Sequence, residues 1–200
     1  MTRIAFCFVW LFSTLLWAAE PQDSPTAVVE KLHGALLQAM KGGSKLGFKG
    51  RVALLDPVVR ETYDLAAMAR VATGAAWPKL SEEERGQIAE AFAAWTVATY
   101  ASQFKAYDGE SFTTKAEVDS ARGRRAVETT LNAKGEDPVI LNYQLREQDG
   151  RWRIVDVYLD GSVSQLAMRR NEFAGVLAKG GAAGLIGSMQ TQAAQLAKGG

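Results

Sequence analysis

Apolar residues recur at helical spacing over the first part of the chain and at strand spacing over its middle. From Ser24, the residues Val28, Val29, Leu32, Leu36, Ala39 and Met40 fall on one stripe, with Pro25 in the first helical position. This helix is expected to end at Lys41-Gly42-Gly43, where glycine supplies a left-handed cap. The segment Phe48 to Tyr63 repeats the spacing through Val52, Leu55 and Val59, with Pro57 expected to bend or divide it. Asp64 then caps a short helix, Leu65 to Thr73, stopped by Gly74. Ser81 and Glu84 form a capping box that opens the longest helix, to about Tyr107, with Ile88, Phe92, Trp95, Thr99 and Ser102 along one side.

From Glu110 the period changes to two. Ser111 to Val118, Arg124 to Ala133, Val139 to Gln148 and Arg151 to Leu159 read as four strands with short turns between them, which favours an antiparallel meander. Asp149-Gly150 is a signal for a type I′ hairpin, which needs positive φ at both central residues. The last strand is apolar on both faces: Trp152, Ile154 and Tyr158 on one, interrupted by Asp156, and Val155, Val157 and Leu159 on the other. A strand with one face in water would alternate apolar with polar, so the core covers one side and something else apolar the other. Asp160-Gly161 ends this strand. Ser162 or Ser164 caps a helix through Phe173 to about Lys179, and Ala182 to Leu196 forms another. Helices, then strands, then helices make the class α+β, with a four-stranded antiparallel sheet and room for an apolar cavity between sheet and helices.

The first nineteen residues differ in kind. Arg3 precedes the apolar run IAFCFVWLFSTLLWAA, shorter than the ~20 residues of a bilayer span and followed by Glu20-Pro21. Residues 1–19 therefore read as a secretory signal peptide and 20–200 as one domain, an exported protein suited to a bacterial periplasm. The signal would remove Cys7, the only cysteine, and with it any disulfide, thiol nucleophile or zinc thiolate. It would also remove one of 23 basic residues and none of 22 acidic ones, and the neutral remainder gives no support to nucleic-acid binding.

Candidate chemistry is sparse, and no cofactor or metal is expected. His33 is the only histidine, so neither a triad nor a zinc site can be assembled around it, and it reads as a partly buried or surface side chain. Asp156, between Ile154 and Tyr158, is either a buried general base or a carboxylate satisfied by the backbone or by Arg153, Arg169 or Arg170. Arg122, Arg124, Arg125, Arg169 and Arg170 read as solvated cations, with a lipid headgroup or an acidic surface as the alternative partner.

Several segments, in order, resemble the MlaC/Ttg2 family of periplasmic phospholipid-binding proteins over about Ser24 to Leu196. They are Tyr63-Asp64-Leu65-Ala66-Ala67-Met68-Ala69, Gly74-Ala75-Ala76-Trp77 with the Ser81 box, Phe92 and Tyr100, Val139 to Tyr143, and Trp152-Arg153-Ile154-Val155-Asp156-Val157. The run Gly161-Ser162-Val163-Ser164, one residue longer than the family's usual Gly-Val-Ser, looks like the branch associated with hopanoid biosynthesis. The resemblance implies a twisted sheet and helices enclosing a lipid cavity, no catalytic residues, and exchange of a phospholipid or hopanoid with membrane-bound partners such as an MCE-domain protein of an ABC lipid-transport system. Trp77, Phe92, Trp95, Phe104, Tyr143, Val155, Val157, Leu159, Leu166 and Phe173 are the expected cavity lining. Two other readings stand beside it: a small-substrate enzyme with Asp156 as base, and a scaffold held by an uncleaved N-terminal anchor.

Overall fold

A computed structural model describes residues 24–199, so the segment read as a signal peptide lies outside the described residues. Ser24 caps the first helix, accepting from the Ala27 amide at 3.1 Å, with Pro25 at its first position as expected. This helix, α1 (Pro25–Thr62), has two limbs, because Gly43 (φ 43°) and Gly47 (φ 60°) leave helical geometry. Pro57 sits within the second limb without a break in the helical dihedrals there. Next come α2 (Leu65–Thr73), a 3-10 turn at Gly74–Lys79, and α3 (Glu82–Gln103) opened by the Ser81/Glu84 capping box.

Helix α3 stops about a turn earlier than its sequence suggests. The cause is Arg51, a buried residue of α1 whose Nε donates to the Ala101 carbonyl at 2.7 Å. A continuing helix would have given that carbonyl to the residue four positions on. Arg51 also donates through Nη1 to Gly43 O at 2.9 Å, so one cation serves two helix C-terminal ends.

The strands are β1 (Ser111–Ser120), β2 (Arg124–Asn132), β3 (Val139–Gln148), β4 (Arg151–Leu159) and β5 (Val163–Ser164), antiparallel and ordered in the sheet as in the chain. The sheet thus has five strands rather than four. Asp160 (φ 50°) and Gly161 (φ 71°) form a tight reversal, so Val163 and Ser164 pair back onto Leu159 and Tyr158 before the final helix begins. The β3–β4 hairpin has the expected turn, with Asp149 at φ 52° and Gly150 at φ 73°. Because β5 is so short, most of the outer edge of β4 is left open, and part of it is met by the α1–α2 junction: Tyr63 bridges to Ile154, and the Asp64 amide donates to Ile154 O at 2.9 Å.

Ser164 caps the last helix, α4 (Gln165–Lys198), accepting from the Ala167 amide at 2.9 Å. The two expected C-terminal helices are limbs of this element, divided at Gly181 (φ 59°). Among the described residues no helix is long and apolar enough to cross a membrane. The core lies between the helices and one face of the sheet, where Leu32, Leu36 and Val59 of α1 share a cluster with Val127, Tyr143, Leu145 and Ile154.

Candidate functional site

The α3 face toward the sheet repeats at three and one: Phe92, Trp95, Thr96, Thr99, Tyr100, Gln103, and Phe104 at the cap. Opposite them the sheet presents three cross-strand pairs, Leu131 with Val139, Leu141 with Leu159 and Tyr143 with Val157. Tyr63 and Met68 close one side, and Gln165, Leu166 and Arg169 from the first turns of α4 close another. These walls enclose a cavity of about 290 Å³.

Exposure grades along the lining and locates the mouth. Tyr63 and Tyr143 keep 2% of their accessible surface and Trp95 5%, whereas Val139 keeps 39%. The hydroxyls of the inner end each have a hydrogen-bond partner. The Tyr63 and Tyr100 hydroxyls bond to each other, and Tyr143 Oη meets His33 Nε2 at 3.1 Å. Burial raises the pKa of all three phenols, which keeps them neutral. Thr96 and Thr99 donate their hydroxyls to Phe92 O and Trp95 O, at 2.8 and 2.9 Å. What remains toward the interior is mostly ring and aliphatic surface.

His33 lies behind this wall, 4% exposed and stacked on Phe112 with ring centroids 3.9 Å apart. Burial lowers its pKa from 6.5 to about 4. The unfolded chain binds the proton more readily, so this contribution is intact above pH 6.5 and is lost as pH falls toward 4, up to about 3 kcal/mol. Urea unfolding across that window should show a steeper loss of stability in the wild type than in His33→Gln. Equal slopes would contradict a buried neutral imidazole.

Of the residues expected on the cavity, Phe92, Trp95, Phe104, Tyr143, Val157, Leu159 and Leu166 line it. Three lie elsewhere. Trp77 borders a shallow surface depression with Asp64, Arg70 and Arg146, and its ring lies under the Arg85 guanidinium at 5.9 Å. Phe173 is 2% exposed and packs against Phe92 and Trp95, with centroids 6.2 and 6.0 Å away, as a second layer. Val155 is the extra residue of a β-bulge, since Gln144 and Leu145 oppose Asp156 and Ile154; strict alternation fails there.

The same region fixes Asp156. Its Oδ1 accepts from the Val157 and Leu166 amides at 2.8 and 3.1 Å, and its Oδ2 accepts from Ser164 Oγ at 2.6 Å. The carboxylate is not on the cavity wall; it ties β4 to the start of α4. The expected lining left out Thr96 and Gln103, although steps of three and four from Phe92 reach them, and Val139 and Leu141, which share alternation with Tyr143. Among the described residues no group of three or more histidine, cysteine, aspartate or glutamate side chains could hold a metal.

Two comparisons bear on this site. A family model described as "MlaC protein" matches residues 30–191. Among solved structures, the phospholipid-binding protein from Ralstonia solanacearum, determined in complex with a phospholipid, superposes with a TM-score of 0.75 at 26% identity, covering 87% of this chain and 99% of that one. No curated protein matches the chain.

Proposed function

This chain belongs to the MlaC family, and from that premise we propose that it is a periplasmic lipid-binding shuttle, carrying a phospholipid or hopanoid between membranes with its tail in the cavity. The observation that carries the reading is the cavity itself: an apolar space between α3 and the sheet, with its inner phenols neutral and hydrogen-bonded. The phospholipid complex of the similar Ralstonia solanacearum protein supports a lipid as the occupant.

The size of the cavity sets how much of a tail it can shelter. An apolar cavity of about 150 Å³ holds one benzene, so 290 Å³ offers room for about twice that, on the order of twelve carbons. At ~0.8 kcal/mol per methylene, sheltering that length offsets roughly 10 kcal/mol of hydration penalty. The apolar segment 1–19 supports export as the route to the periplasm. The family supports a membrane-bound MCE-domain protein as the partner at loading or unloading, and a carrier rather than an enzyme.

The test is transfer. Protein stripped of lipid should move a labelled phospholipid from donor to acceptor vesicles at a rate proportional to protein concentration. Transfer no faster than in its absence would remove the shuttle reading.

A further inference from the structure

Arg169 is the only charged residue on the cavity wall among the described residues. It stands one turn after Gln165, in the opening turns of α4, where the helix N-terminus adds positive potential. Its guanidinium lies over the Trp95 ring, 4.6 Å from the centroid, so the wall itself holds the cation in place. Nη1 donates to Glu172 Oε2 at 2.8 Å, the one acceptor found for Arg169 among the described residues, and the side chain keeps 32% of its accessible surface. The guanidinium, partly exposed on the wall beside Trp95, therefore has donors left over, whereas the threonine hydroxyls of the same wall are spent on their own helix.

We propose that Arg169 determines headgroup specificity, selecting amphiphiles that carry an anionic phosphate next to the tail over uncharged glycerides and uncharged polycyclic lipids. The inference rests on the carrier reading and deepens it. A tail seated between α3 and the sheet, among Tyr143, Val157 and Leu159, with its polar end toward the opening turns of α4, brings a phosphate to the partly exposed guanidinium. A guanidinium fork matches two phosphate oxygens, and its stacking on Trp95 lowers the entropy lost when it binds them. An uncharged lipid gains nothing from this arrangement.

Stripped protein is titrated with dioleoyl phosphatidylglycerol, with dioleoylglycerol of the same chains, and with inorganic phosphate. The wild type should bind the anionic lipid about tenfold more tightly than the neutral one, as expected for a charge-assisted contact. In Arg169→Gln that ratio should fall to near one, and in Arg169→Lys it should stay several-fold. A loss of affinity for both lipids with the ratio unchanged would mean that Arg169 only packs on Trp95, and would overturn the proposal. A wild-type ratio near one overturns it as well while leaving the carrier intact, and binding of neither lipid overturns both. Inorganic phosphate should not bind measurably; binding as tight as the lipid's would make this a free-anion site instead.

Discussion

Replacing Thr99 and Leu159 together by tryptophan should abolish lipid binding while the helix and sheet content stays that of the wild type. The two residues stand on facing walls, one on α3 and one on β4, and both touch the same space of about 290 Å³. Each introduced indole is larger than the benzene that fills about 150 Å³, so the pair consumes most of the room. Excluding even six methylenes of tail costs about 5 kcal/mol, a loss of more than a thousandfold in affinity. Overpacking is mild because the walls border a void rather than close-packed neighbours. Binding by the double variant within tenfold of the wild type would show that the tail lies elsewhere. Circular dichroism with a lipid titration gives both readouts.

Asp156→Ala should cost about 4 kcal/mol of folding stability, read by urea unfolding at neutral pH. The carboxylate is 8% exposed and accepts three hydrogen bonds, two from backbone amides. Its loss leaves the Val157 and Leu166 amides unpaired in a buried setting and removes a negative charge from the start of α4. Asp156→Asn keeps an oxygen for one or two of these donors and should recover about half of the loss. An alanine variant as stable as the wild type would contradict a fastening role for this residue.

How far the sequence is readable differs from one feature to the next. The class, the element order, the caps at Ser24, Asp64 and Ser81, and the turn at Asp149-Gly150 all follow from signals a few residues long, each with a local cause. Features set by distant partners were not legible. The end of α3 is decided by Arg51, fifty residues upstream, and no breaker near Phe104 announces it. Strand β5 is two residues long, too short for any periodicity.

The cavity lies between these cases. Residues on the apolar last strand and the aromatic face of α3 could be picked out, because period two and period 3.6 each define a face. Val155 could not be separated from Val157, since a one-residue bulge reverses the faces without leaving a compositional mark. Phe173 and Phe92 are alike as aromatic residues on helices, and only packing decides which is the wall and which the layer behind it. Polar lining such as Gln103 and Arg169 is missed by any search for apolar residues.

A lipid tail is proposed to fill the cavity between α3 and the sheet. The most direct test is native mass spectrometry of the protein purified from cells without detergent, followed by organic extraction of whatever accompanies it. The wild type should carry a stoichiometric added mass that extraction identifies as a phospholipid or hopanoid and that is absent from the Thr99→Trp/Leu159→Trp variant. A wild-type protein that is empty, and stays empty after incubation with both lipid classes, would contradict it.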